Sequence, residues 1–253
     1  DYRLTELEPF CKYGSWTKNH PNVTCGLKRG SSFFKHGVDS EYVRESANEN
    51  LLFVAASPND IVGDTQWKRA GFDHFLLQSA ERRGIEVLQE TEVAGLERSS
   101  SEWTLRLTSQ KSENIIKANF IVDATGSAAF GRRFFALSDH AQDLRTTSQA
   151  IFAHFRNIKP WQASLESQDL QRPPYPFPAD AAALHHIFDD GWMWQLDFDD
   201  GVTSAGFVLS PQLPILGRDD ENQSAESLWN KLLRKYPSIQ GQFCKQERIT
   251  PFY

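Results

Sequence analysis

The sequence predicts an α/β (α+β) chain, a helix-and-strand unit followed by a mostly antiparallel block of strands. Three observations predict it. From Gly71 onward the apolar residues repeat at helical spacing, with Phe72, Phe75, Leu76 and Ser79-Ala80 on one face and Asp73, Gln78, Glu81 and Arg82 opposite. Trp103-Thr104-Leu105-Arg106-Leu107 alternates with the period of a half-buried strand. After residue 150, strand-like segments follow one another with short polar breaks. A single β-sandwich would have no use for the helices.

Taken in order, residues 1–70 are rich in aromatics and turn formers, with an extended stretch at Gly30–Phe34 and an apolar run, Leu51–Ala56, read as buried. The polar span Asp39–Asn50 reads as a surface loop or short helix. The helix after Gly71 ends at Gly84, a residue suited to a left-handed C-cap, and Ile85-Glu86-Val87-Leu88 then reads as a short strand. Ile115-Ile116 and Phe120-Ile121-Val122 follow, the latter expected to be fully buried because no polar residue interrupts it. A helix is expected over Ala128–Leu137. Strands are expected at 151–155, 184–188, 192–198 and 203–209, with Arg172–Pro178 as an extended, polyproline-like loop. A last amphipathic helix over 225–236 carries Leu228, Trp229, Leu232 and Leu233 as its buried stripe.

The 253 residues carry 27 Lys+Arg and 33 Asp+Glu, a net charge of −6 with no basic cluster, which gives no electrostatic reason to expect nucleic acid or an anionic membrane as partner. The longest apolar run falls far short of the roughly 20 residues that span a bilayer. Cys11, Cys25 and Cys244 are odd in number and widely spaced, so they read as buried thiols in a reducing, cytoplasmic compartment. Asn22-Val23-Thr24 and Asn222-Gln223-Ser224 match a glycosylation pattern that, without a secretory signal, reads as chance. His185 and His186 are adjacent on an expected strand, point to opposite faces and cannot chelate one metal together; no metal site is expected. The chain starts at Asp1, its only methionine is Met193 and it stops on Pro251-Phe252-Tyr253, so both ends read as cut.

Several segments carry chemistry. Gly126-Ser127-Ala128-Ala129-Phe130-Gly131-Arg132-Arg133 has the glycine spacing of a phosphate-binding loop but puts Arg132 and Arg133 where that loop needs lysine and a hydroxyl. Phe120-Ile121-Val122-Asp123-Ala124-Thr125-Gly126 resembles the VxATG segment of FAD-dependent monooxygenases and reductases. Arg69-Ala70-Gly71-Phe72-Asp73, with Leu76, and Thr91-Glu92-Val93 precede it as they do in that family. Gly191-Trp192-Met193-Trp194-Gln195-Leu196-Asp197, followed by Asp200–Gly206, resembles the GWxWxIP motif of flavin-dependent, tryptophan-type halogenases, departing from it at Leu196-Asp197. Lys28-Arg29-Gly30-Ser31-Ser32-Phe33 resembles that family's K-x-G-x-x-F strand. On chemistry alone, Trp192 and Trp194 fit a core strand and Lys28 fits a snorkelling surface lysine.

The resemblance, which covers nearly the whole chain, implies a flavoprotein monooxygenase fold of the FAD/NAD(P)-binding type, truncated at both ends. It divides into a substrate-side segment at 1–62, part of an FAD-binding domain at 63–145, and a substrate-side sheet with its helix at 146–253. It implies Lys28 as the catalytic residue, with Arg29 as a competing occupant of the pocket. It implies Arg69, Val93, Asp123, Thr125 and Gly126 at the FAD, and Trp192 and Trp194 along the channel between flavin and substrate. The cofactor implied is FAD, used as FADH2, with O2 and a halide as co-substrates. The partners implied are a separate flavin reductase and an aromatic substrate, free or carrier-bound. No GxGxxG turn for the FAD pyrophosphate and no GD-x-A-x-x-x-D-P segment occur; the resemblance places both outside this chain, which by itself is expected to be inactive. Hydroxylation or reduction on the same fold, and a non-catalytic module that binds an apolar ligand, remain open alternatives.

Overall fold

The computed structural model describes residues 4–110, 112–126, 129–138, 140, 143–145, 147–167, 175–189, 191–210 and 224–253. The chain forms two compact units, Asp1–Leu76 with Ser148–Tyr253, and Leu77–Thr147. A 3₁₀ turn at Thr5–Cys11 and helix α1 (Tyr13–Asn19) lead into strands β1 (Cys25–Lys28), β2 (Gly30–Lys35), β3 (Leu51–Ala55) and β4 (Asp64–Trp67). Helix α2 (Arg69–Arg82) follows. The second unit carries strands β5 (Glu92–Arg98), β6 (Trp103–Thr108) and β7 (Glu113–Ala118) and helix α3 (Phe130–Phe135). The chain then adds β8 (Gln149–Arg156), α4 (Trp161–Glu166), β9 (Ala183–Phe188), β10 (Gly191–Asp197), β11 (Thr203–Leu209), α5 (Ala225–Arg234), α6 (Pro237–Gln242) and β12 (Glu247–Arg248).

Alternating strands must bury one face, and in the first unit they do so in a seven-stranded sheet ordered β12-β8-β11-β10-β9-β2-β3. Its neighbours are antiparallel except β2 and β9, which run parallel with Phe33 beside His185. Ile151, Ala153 and Phe155 of β8, Met193 of β10 and Ala205, Phe207 and Leu209 of β11 lie on the inner face. Trp229, Leu232 and Leu233 of α5 and Ile239 of α6 pack over them. Each fully buried large apolar side chain contributes about 1.5–3 kcal/mol. Ser224 caps α5, its Oγ accepting from Ser227 N at 3.1 Å. Further along the same face Phe34, Tyr42, Trp161 and Leu184 form a second cluster. The N-terminus of α4 is held there by Asp180, whose carboxylate accepts from the amides of Trp161 (2.7 Å) and Gln162 (2.8 Å).

One polar network is enclosed between these layers. Gln195 and Gln242 each donate an amide N–H to His186 Nε2, at 3.0 and 3.3 Å. His186 therefore carries its proton on Nδ1 and donates it to His36 Nε2, 2.9 Å away. Both rings are neutral, and burial lowers both pKa values, that of His36 to about 3.

The ribbon of β1 and β4 joins the sheet at one point. Asp199 N donates to Cys25 O at 2.9 Å, and a Cβ at Gly26 would overlap the carbonyl oxygen of Asp197. Only glycine lets β1 approach the end of β10 this closely. In the second unit β5, β6 and β7 form an antiparallel meander, with a bulge between Val93 and Gly95 on β5.

Several expected elements differ. Ile85–Leu88 and Phe120–Val122 are not strands; among the described residues no strand ladder includes them, and Phe120 and Val122 are 81% and 79% exposed. An apolar run becomes a buried strand only where a neighbour completes its ladder and a layer covers it, and the meander closes without these two. The Leu51–Ala56 run becomes an edge strand with Leu52 and Val54 exposed, not a buried one. Cys25 is buried, but Cys11 and Cys244 are exposed, and all three are free thiols. Helix α3 is shorter than the expected 128–137, and Ala128, residues 172–174 of the 172–178 loop and Asn222-Gln223 lie outside the described residues. Helix α5 and its stripe are as expected.

Two outcomes follow from this packing. Unfolding frees the histidines to titrate near 6.5 while His36 stays neutral down to about 3. Stability is therefore full above pH 6.5 and falls below it, by up to about 1.4 kcal/mol per pH unit for each histidine. Burial raises Asp197 from 3.8 to about 6; its penalty on the folded state is relieved as pH falls through that window, so it offsets about one histidine. The denaturation midpoint should drop from pH 7 to pH 4.5 and drop less in His36→Gln; parallel profiles for the two proteins would contradict the network. Gly26→Ala should cost about 1–3 kcal/mol by overpacking, seen as a lower urea midpoint with β1 loosened from β10.

Candidate functional site

The face of the seven-stranded sheet opposite its core carries the other half of each alternation. Trp192 and Trp194 of β10 lie there, half-buried, while Met193 and Gln195 between them point into the core. A continuous row of rings crosses the strands. Phe33 stacks on His185 with centroids 4.6 Å apart, and His185 meets Trp192 at 5.3 Å. Trp192 meets Trp194 at 5.9 Å, and Trp194 meets Phe152 at 5.7 Å. Phe152 stacks on Tyr253 at 5.2 Å. Such pairs contribute about 0.5–1.5 kcal/mol each beyond their burial. Trp194 is fixed further by its Nε1–H, which donates to Ser204 Oγ at 3.3 Å. Tyr253 is fixed by paired backbone bonds with Phe152 at 3.0 and 3.2 Å.

Lys28 ends β1, half-buried, opposite Asp64 of β4 in the ladder. The Asp64 carboxylate is taken by Lys12 at 2.7 Å, and among the described residues no carboxylate lies within ion-pair distance of Lys28. Arg29, the competing candidate, is committed elsewhere: its guanidinium bonds Asp60 at 2.6 Å and lies over the Phe177 ring. Lys28 is near enough to His185 to act on its charge. Burial lowers the His185 pKa and the positive charge of Lys28 lowers it further. His185 Nδ1 sits 3.3 Å from the Ser32 carbonyl and donates to it, leaving Nε2 as the free lone pair.

The second unit holds the other group of expected site residues. Val93 on β5 and Thr125 border a cavity of about 650 Å³, together with Thr108, Phe130, Arg133 and Phe134. That volume is within the range of small-molecule sites. Asp123 does not line the cavity but ties its loop. One carboxylate oxygen accepts from Thr125 N (3.0 Å) and Thr125 Oγ1 (2.7 Å), and the other accepts from Gly131 N at 2.9 Å. These bonds to the charged form hold the Asp123 pKa below its usual value. Gly126 supplies the turn with φ of +56°. Arg69 opens α2, exposed, with its guanidinium on Asp73 at 2.9 and 3.1 Å.

The structure therefore brings Trp192 and Trp194 together on one surface, and Val93 and Thr125 together around one cavity. Sequence reasoning did not single out His185, Phe33, Phe152 or Tyr253 as site residues. Their common signal is strand parity, but which residues share a row depends on the register between strands, which one sequence does not display.

Comparison with known proteins agrees with this picture. The family model for tryptophan halogenase matches residues 60–241. The chain is 24% identical over 245 residues to monodechloroaminopyrrolnitrin halogenase PrnC of Pseudomonas fluorescens, covering 96% of this chain and 41% of that protein. It is 26% identical over 228 residues to tetracycline 7-halogenase of Kitasatospora aureofaciens, covering 86% and 38% respectively. The chain thus spans about two-fifths of the curated relatives it matches. Among solved structures, halogenase PltM in complex with phloroglucinol and FAD superposes with a TM-score of 0.80 at 24% identity, over 99% of this chain and 47% of that one. CmlS, a flavin-dependent halogenase, superposes with a TM-score of 0.63 at 20% identity, over 97% and 40%. With the motifs at Lys28, Asp123–Gly126 and Gly191–Asp197 set in this architecture, and the family model matching most of its length, the chain belongs to the tryptophan halogenase family.

Proposed function

We propose that the protein containing this chain is a flavin-dependent halogenase that chlorinates or brominates an electron-rich aromatic substrate. The observation that carries the reading is the row of rings from Phe33 to Tyr253 across one face of the sheet, in a chain whose Lys28 has no carboxylate partner among the described residues. An ammonium without a carboxylate partner is free to donate a hydrogen bond to a small polar oxidant, and rings laid along the sheet offer an apolar, electron-rich surface to a flat substrate. PltM, of similar fold, has been crystallised with the aromatic phloroglucinol and with FAD.

FAD fits the residues present. The cavity bordered by Val93 and Thr125 combines backbone groups, hydroxyls and aromatic walls, and Asp123 holds its loop in place without being spent on the ligand. Val93 and Thr125 would hold the cofactor there, with Gly126 turning the chain next to Thr125. Arg69, exposed at the start of α2, is assigned to the cofactor by the family resemblance alone. Bound in reduced form, with electrons delivered by a separate reductase, FAD supplies the reducing power that turns O2 and halide into hypohalous acid. Lys28 then donates a hydrogen bond to the oxygen of that acid, orients its halogen toward the substrate ring and makes the departing hydroxide a better leaving group. Trp192 and Trp194 would line the channel beside the flavin and keep the substrate apart from the oxidant formed there. Exposed free Cys11 and Cys244 favour a reducing compartment such as the cytoplasm.

The test is halogenation by the full-length protein supplied with a flavin reductase, bromide and phloroglucinol. A bromine isotope pair in the product is expected, and Lys28→Ala should reduce it by about 10²-fold or more while flavin oxidation continues. A product that gains only oxygen would make the protein a monooxygenase of the same fold. Full bromination by the Lys28→Ala protein would remove Lys28 from the mechanism.

A further inference from the structure

The aromatic row has one place where a ring should not fit. Trp194 of β10 stands directly across the ladder from Gly206 of β11, and Gly206 in turn stands across from Phe152 of β8. Three residues in cross-strand register on one face have Cβ atoms about 4.5–5.5 Å apart between neighbours, so a side chain in the middle position would stand upright between the other two. Here the middle position is empty and the indole of Trp194 occupies it. A Cβ built on Gly206 would overlap Trp194 Cζ2 and Cη2 and come within 2.5 Å of Phe152 Cβ. The glycine lies inside a strand whose neighbours are all buried or nearly so, where a missing side chain weakens a strand unless something else needs the room.

We infer that Gly206 is a positioning residue, the seat that lets the Trp194 indole lie across β11 onto Phe152 and so sets the depth of the aromatic floor. Ser204, two residues earlier on the same face, fixes the rotation of the indole within that seat through the bond to Nε1. Any side chain at 206 lifts the benzo edge of Trp194 off the sheet, because that edge is the part lying over the glycine. The lifted ring projects into the space above the floor, next to Trp192. The consequence for catalysis rests on the halogenase reading. A raised floor excludes flat substrates in order of their size, so residue 206 acts as a specificity-determining position although it touches no substrate.

The experiment separates the seat from the function. In the chain itself, indole N–H resonances report each tryptophan, and Trp194→Phe assigns the relevant one. Gly206→Ala should shift the Trp194 and Trp192 resonances and leave the core residues Trp16, Trp161 and Trp229 unmoved. An unmoved Trp194 resonance overturns the inference. Should Gly206→Ala fold poorly, stability is compared in a second background: the loss caused by Gly206→Ala should shrink in a Trp194→Ala protein, where the seat is vacant. An equal loss in both backgrounds overturns it as well. In the full-length protein, Gly206→Ala should raise the KM for phloroglucinol roughly tenfold or more, the scale of a misplaced methyl in a shaped pocket, with a smaller effect on kcat. An unchanged KM overturns the specificity role. Absence of halogenation by the unmodified protein would instead remove the halogenase reading and leave the resonance shifts to judge the seat.

Discussion

The register of β10 between β9 and β11 is the constraint from which the other features follow. Side chains alternate strictly along a strand, so a slip of one residue exchanges its two faces completely. In the observed register Met193 and Gln195 enter the core and Trp192 and Trp194 leave it. The slipped register would drive two indoles under α5 and α6, where Trp229, Phe207 and Phe155 already fill the space. It would also take Gln195 away from His186 and leave a buried imidazole nitrogen with one donor fewer. Packing and polar satisfaction therefore select the same register, and the aromatic face is what that choice leaves outside.

The enclosed histidines strengthen the selection because their bonds join four segments at short distances. Two amide donors converge on His186 Nε2, so a proton there would face two N–H groups. The chain of bonds runs from α6 and β10 through β9 to His36 just beyond β2, tying sequence-distant segments together, with His36 Nδ1 and Gln242 Oε1 left buried and unbonded at its ends. Buried polar networks of this kind add specificity more than net stability. The partner of His186 on the next residue, His185, has the opposite fate. It faces the ring row, stacks on Phe33 and feels Lys28, so one His-His pair serves the core and the candidate site at once.

How much of this was legible in the sequence depended on range. Helix α5, the strands at 183–188, 191–197 and 203–209 and the opposite facing of His185 and His186 follow from local periodicity and are present. The family motifs located Lys28, the Trp192–Trp194 strand and the Asp123–Gly126 turn. What escaped is non-local. Ile85–Leu88 and Phe120–Val122 have the composition of strands, but a strand is a relation between two backbones and composition states only one side of it. The short helices at Tyr13–Asn19, Trp161–Glu166 and Pro237–Gln242 are too brief to show a periodicity and are held by tertiary contacts such as the Asp180 cap. Phe152, Tyr253 and Gly206 became part of the site only when the ladders put them beside Trp194.

The departure from the family motif at Asp197 shows how a local rule can be replaced without moving the site. Where the motif has proline, Asp197 accepts a hydrogen bond from Thr203 Oγ1 at 2.6 Å, its partner across the β10–β11 hairpin. Burial raises the pKa of that carboxyl to about 6, a cost that proline would not carry. The side-chain bond clasps the open end of the hairpin, and the Asp197 carbonyl receives β1 at Gly26. Proline would have ended the strand by stiffening its backbone; here the same end is set by a cross-strand bond and a close backbone contact. In this chain β10 ends at Asp197, where β1 meets it through Gly26. The end of the strand is thus held here by a side-chain clasp and a close backbone contact, which do the work of a stiffened backbone.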